Sequence, residues 1–171
     1  DYRRAEARMT RPALYFEDVV LNVKTDLGSW TFTEAEIIRF AKAFDPQPFH
    51  IDPVAAQASP YGGLIASGWH TASIWMKLVI AHRDRIAAEN SGPKALPGQA
   101  AGVSPGFLDL RWLKPVRPGD TLHYATTPIE RIDLKSRPEL GLIRALNTAH
   151  NEAGELVMSF KGQGFYPRRP K

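Results

Sequence analysis

The segment that begins at Gly68 carries Trp69, Ile74, Trp75, Met76, Leu78, Val79 and Ile80 in its first half. Its pattern predicts a helix from near Gly68 to about Glu89 that is apolar on nearly every side. A helix without a polar face needs cover all round. The chain has 171 residues, enough for one domain of ordinary size with a real core. In so short a chain, only a sheet wrapped about the helix can supply that cover.

The C-terminal third offers such a sheet. Phe107-Leu108-Asp109-Leu110-Arg111-Trp112-Leu113 alternates, and Pro115-Val116-Arg117-Pro118-Gly119-Asp120 reads as a turn. Residues 121–133 are long and rich in strand formers, and residues 142–149 are expected to pair with 156–166 across Asn151-Glu152-Ala153-Gly154. A central helix and a run of antiparallel strands give an α+β class.

Residues 28–80 read as mainly helical. Thr33-Glu34-Ala35-Glu36 fits a capping box, in which the hydroxyl and the carboxylate satisfy orphan N–H groups reciprocally. Ile37, Ile38, Ala41 and Phe44 follow at helical spacing until Pro46 and Pro48 end the run. A short helical turn is expected after Pro53. Residues 1–14 are expected to form a mobile basic arm, and 15–171 a single domain. Gly and Pro cluster in residues 91–106 and 115–119, where they punctuate loops.

Composition narrows the chemistry. There are no cysteines, which removes disulfides, thiolate metal sites, Fe–S clusters and Cys nucleophiles together. A formal charge of +4 suits an anionic ligand without indicating nucleic acid. Arg3-Arg4 and the tail Arg168-Arg169-Pro170-Lys171 are read as solvated ends rather than a nucleic-acid footprint. No stretch is long and apolar enough to span a bilayer, and the first ten residues lack the apolar segment of a signal peptide, so a cytoplasmic protein is expected.

Two segments carry candidate chemistry. The first is Asp45-Pro46-Gln47-Pro48-Phe49-His50-Ile51-Asp52-Pro53, where an acid and an imidazole sit five residues apart in a proline-stiffened stretch. Such a pair suits general acid–base work on water. Equally, Asp45 and Asp52 can cap turns while His50 is a structural histidine. The second is Tyr61-Gly62-Gly63-Leu64-Ile65-Ala66-Ser67-Gly68-Trp69-His70, glycine-rich and leading into the long helix. Unpaired N–H groups at a helix start can bind a developing oxyanion, and a glycine admits a substrate carbonyl closely. The same glycines also suit a simple turn.

In these two segments the chain resembles the MaoC-like dehydratases and (R)-specific enoyl-CoA hydratases. That family's motif is Asp-x-Asn-Pro-x-His with an aspartate two residues on, then an apolar-Ala-His-Gly segment opening the central helix. Asp45 to Asp52 and Leu64-Ile65-Ala66-Ser67-Gly68 follow that layout, as do Thr33-Glu34-Ala35-Glu36-Ile37 and Pro115 to Leu122. The resemblance is close over residues 31–80 and looser over 106–166. It implies a hot-dog fold, a long central helix wrapped by an antiparallel sheet.

The resemblance also implies reversible addition of water across the 2,3 double bond of an enoyl-CoA thioester. Asp45 and His50 would be the catalytic dyad, and the Gly68 N–H the oxyanion donor. Coenzyme A would arrive as part of the substrate, with no separate cofactor. The partner would be a second copy, since hot-dog domains pair their sheets and bind CoA across the interface; no nucleic acid or membrane is implied. Gln47 stands where the family has Asn, and Ser67 where it has His. With Trp69 and His70, they are the candidates for substrate binding, although Trp69 also suits a plain core position. Rival readings are a hot-dog acyl-CoA thioesterase, a non-catalytic acyl-CoA-binding subunit, and a metal site from Asp45, His50, Asp52 and His70. No compact ligand motif supports the last, and no metal is expected. Arg111, Lys114 and Arg117 flank the strand and turn that would approach CoA phosphates, each with a solvated-surface alternative.

Overall fold

The computed structural model describes residues 15–89 and 103–169. After a short 3-10 turn at Phe16–Asp18 come β1 (Thr25–Thr31), α1 (Glu34–Phe44), α2 (Pro48–Ile51), α3 (Pro53–Gln57) and α4 (Gly68–Glu89). The strands β2 (Phe107–Trp112), β3 (Thr121–Asp133), β4 (Leu140–His150) and β5 (Leu156–Pro167) complete the order. They form one five-stranded antiparallel sheet in the order β1-β3-β4-β5-β2. The α+β arrangement expected from the sequence is present.

Local chemistry explains the elements. Thr33 is the N-cap of α1 and forms the capping box with Glu36. The β4–β5 hairpin turns at Asn151, whose side chain accepts from the Glu155 N–H at 2.9 Å and donates to its carboxylate at 2.8 Å. The second half of β1 falls in the stretch 28–80 read as mainly helical. Its alternation is broken at Gly28, which has φ 101° beside a bulge and donates its N–H to Asp26 Oδ1. Only Leu27 of that strand is buried, so the apolar signal was thin.

The helix α4 departs from expectation. Ile74 and Val79 enter the core with Phe32, Leu122, Tyr124, Ala149, Val157 and Met158. The Tyr124 hydroxyl ties the helix to β3 by donating to the Thr71 carbonyl at 3.1 Å. Trp69, Met76 and Ile80, spaced along another stripe, stand about half exposed at 49%, 52% and 44%. A single sheet covers one side of a helix, so the expected all-round burial is not met among the described residues. Edge strand β2 is exposed in the same way at Phe107, Leu108 and Trp112, and Leu113 follows it.

Two smaller expectations are corrected. Phe44 shares the spacing of Ile37 and Ala41, yet it is 74% exposed. It lies in the last turn of α1, beyond the core, with its ring against Phe40. Arg168 and Arg169 are not merely solvated ends. Arg168 pairs with Asp133 and Glu17 and lies over the Phe16 ring, while Arg169 pairs with Asp18 and lies over Tyr15. The acidic turn at Glu17-Asp18 gives the two arginines a place to dock. The arm expected at residues 1–14, most of the Gly/Pro-rich stretch (90–102) and Pro170-Lys171 lie outside the described residues.

Candidate active site

Three short segments meet at the start of α4. The first is the end of α1, where Asp45 is the C-cap and donates its N–H to the Ala41 carbonyl. Pro46 cannot extend that helix, and Pro48 opens α2 at its first turn. One turn later His50 is carried back toward Asp45. The third segment, residues 64–67, runs alongside: Ile65 donates its N–H to the Phe49 carbonyl at 3.1 Å, and Ala66 donates to Val116 at 2.8 Å.

These contacts fix the polar groups. His50 is buried, and its Nδ1 lies 2.8 Å from the Ile65 carbonyl. A carbonyl oxygen only accepts, so that bond assigns the proton to Nδ1. Nε2 is left to face Asp45 Oδ2 at 3.3 Å. The same Oδ2 accepts from Ser67 Oγ at 2.7 Å, and Oδ1 accepts from Gln47 Nε2 at 2.8 Å. Partial burial works to raise the Asp45 pKa. The hydrogen bonds from Gln47 and Ser67, with the neighbouring His50, outweigh it and leave the carboxyl below its ordinary range.

Ser67 also accepts the Trp69 N–H at 3.2 Å, so it caps the helix that begins at Gly68. Among the described residues none accepts a hydrogen bond from the Gly68 N–H. The Cα side of Gly68 is occupied: a Cβ there would lie 2.4 Å from the Trp112 ring. The close approach that requires glycine is thus made by Trp112, while the N–H remains the group available to a ligand.

The structure brings Asp45, Gln47 and Ser67 into one hydrogen-bonded cluster next to Gly68, with His50 Nε2 at ion-pair distance from Asp45. Trp69 sits at the rim, half exposed and edge-on to Trp112 with ring centroids 5.1 Å apart. His70 is not part of the cluster. Its ring stacks on Phe40 at 4.6 Å and meets Phe32 edge-on. Burial pushes its pKa down to about 4, with Glu36 opposing and Arg39 reinforcing the shift. Asp52 N-caps α3 through Val54 and Ala55. The four residues weighed as metal ligands therefore do not converge, and among the described residues no group of three or more His, Asp or Glu gathers as a metal site.

Three parts of this site had no clear sequence signal. The Ile65 carbonyl that sets the His50 tautomer is a backbone group. Trp112 reads as a strand residue. Arg117 donates to the Tyr61 carbonyl at 2.6 Å and so braces the glycine loop. Lys114 is held by Glu155 at 2.8 Å.

The sequence profile of the MaoC-like domain matches residues 20–141. The chain belongs to the MaoC-like domain family. It is 31% identical over 129 residues to an uncharacterized protein of Bacillus subtilis, YdeM, covering 75% of this chain and 79% of that one. A MaoC-like dehydratase from Rhodospirillum rubrum is similar at 36% identity and a TM-score of 0.74, over 92% of this chain and 99% of that chain. An R-hydratase from Pseudomonas aeruginosa shares the fold at 22% identity and a TM-score of 0.61, over 91% and 87% of the two chains. The fold of this MaoC-like domain is the hot-dog.

Proposed function

We propose that this MaoC-like domain is a hydro-lyase that adds or removes water across the 2,3 double bond of an enoyl-CoA thioester, with (R) specificity. The observation that carries the reading is one carboxylate oxygen. Asp45 Oδ2 faces both His50 Nε2 and Ser67 Oγ at the start of the helix whose first N–H is open. The names of the Rhodospirillum dehydratase and the Pseudomonas R-hydratase support the reaction class.

In hydration the oxygen of water bonds to C3 as the Asp45–His50 pair takes one of its protons, and the C2=C3 electron pair moves toward C1. The thioester oxygen then carries enolate charge, which the Gly68 N–H and the positive end of α4 are placed to stabilise. Collapse of the enolate takes a proton at C2. With Nδ1 held by Ile65, Nε2 is the ring nitrogen free to exchange protons. Nε2 and Asp45 Oδ2 lie close enough that the pair acts as one coupled acid–base unit. Dehydration is the reverse path through the same groups.

A second copy of the chain belongs to this reading. The exposed stripe of α4 and the free edge of β2 form an apolar face of the kind that marks an interface. CoA would bind across it.

The test is to replace the dyad. Asp45→Asn and His50→Gln should each lower hydration of short enoyl-CoAs by about 10²-fold or more while thioester binding survives. Loss of the conjugated-thioester absorbance reads the rate. Undiminished turnover in both variants would sink the assignment.

A further inference from the structure

We propose that Ser67 is a positioning residue that locks the acid–base pair to the oxyanion donor and holds Asp45 as a carboxylate. The proposal rests on the hydro-lyase reading above. Ser67 has a relative exposure of 0%, so its side chain offers no surface to a substrate. Its hydroxyl instead makes two directed bonds. As an acceptor it takes the Trp69 N–H at 3.2 Å, and as a donor it gives its one proton to Asp45 Oδ2 at 2.7 Å. A hydroxyl has a single proton, so the Trp69 bond uses a lone pair and the Asp45 bond uses the hydrogen.

This arrangement has two consequences. A donor aimed at Oδ2 stabilises the ionised carboxyl and competes with a proton on that oxygen. The titratable group facing Asp45 is His50, and Gln47 adds a second uncharged donor on Oδ1. Those bonds stop the carboxylate from turning, so Oδ2 stays toward Nε2. Ser67 also immediately precedes Gly68 in the chain. Anchoring its side chain to Asp45 therefore sets the separation between the carboxylate and the neighbouring Gly68 N–H. Acid–base catalysis and oxyanion stabilisation require their groups in register before reaction, and one buried hydroxyl supplies that register.

The experiment compares pH profiles of kcat/KM for enoyl-CoA hydration by the wild type, Ser67→Ala, Ser67→Gly and Ser67→Thr. Glycine is tolerated at a helix N-cap, so the glycine variant separates loss of the donor from loss of the cap. Without the donor the Asp45 pKa rises, and the acidic limb should move up by about one pH unit in both the Ala and Gly variants. Threonine, which keeps the hydroxyl, should return the limb toward the wild-type position. A purely structural cap would lower the melting temperature and leave the limb unmoved; that result in both Ala and Gly overturns the proposal. Should the wild type show no hydration, the Asp45 carboxyl can still be titrated by carbon NMR in the wild type and Ser67→Gly. An upward shift upholds the coupling while the hydro-lyase reading falls, and no shift overturns it.

Discussion

At the residue scale, two histidines of similar burial have been given opposite settings. His50 has a carbonyl on Nδ1 and a carboxylate at Nε2. His70 lies between Phe40 and Phe32, with its Nδ1 lacking a hydrogen-bond partner among the described residues. Sequence spacing placed His50 near Asp45 correctly, because prolines at 46 and 48 dictate the turn between them. His70 was a candidate for substrate binding from its place beside Gly68 and Trp69, but a one-residue step along a helix rotates a side chain by roughly 100° and short motifs do not register that. The difference has a measurable consequence. The His70 pKa is pushed down to about 4 by burial, whereas an unfolded histidine titrates near about 6.5. Between those values the unfolded chain binds a proton that the folded chain refuses. The associated stability is therefore complete above about pH 6.5 and is lost progressively as the pH falls toward about 4. The loss amounts to at most about 3 kcal/mol. Urea unfolding from pH 7.5 to pH 4 should show this dependence, and His70→Phe, which keeps the ring stack, should flatten it. An identical slope in both proteins would mean that His70 is not the group responsible.

At the scale of elements, the start of α4 is defined by what lies over it as much as by its own sequence. At Gly68, the first residue of α4, the indole of Trp112 from edge strand β2 covers the Cα side and meets Trp69 edge-on, which leaves the N–H as the group available to a ligand. No local pattern could have revealed this, because it depends on β2 pairing with β5 and so bringing residue 112 beside residue 68. By contrast, the α1 capping box, the β4–β5 hairpin and the extent of α4 were all legible, since each is specified within a few neighbouring residues. The Gly68–Trp112 contact predicts a coupled pair. Gly68→Ala should destabilise the fold by about 1–3 kcal/mol through overpacking, and Trp112→Ala should relieve most of that penalty in the double variant. Chemical denaturation of the four proteins measures the coupling. Strict additivity of the two single changes would show that the Gly68→Ala penalty does not come from the Trp112 ring.

At the scale of the whole molecule, the sequence called for cover on every side of α4 and the described residues provide it on one. The core side is filled by Ile74 and Val79 against the sheet. The remaining stripe, Trp69, Met76 and Ile80, is exposed; Trp69 meets Trp112 of β2, and Trp69 and Met76 line an apolar groove with Phe107. The expectation of all-round burial therefore holds for the core stripe of α4 and not for the Trp69, Met76 and Ile80 stripe. An exposed apolar face next to an unpaired strand edge is costly for a lone domain, because the backbone groups of that edge also seek partners. A second copy meets both needs at once: β2 can extend the sheet of its mate while the two α4 stripes cover one another. Sedimentation of the purified protein should then show a dimer at micromolar concentration. Met76→Glu places a charge in the middle of the stripe, away from Asp45 and His50, and should shift the protein toward monomer. If the site is completed across the interface, hydration activity should fall with dimer content and recover as protein concentration is raised. A wild type that sediments as a monomer throughout the micromolar range would refute the interface. A monomeric Met76→Glu variant with full activity would keep the dimer but remove it from catalysis.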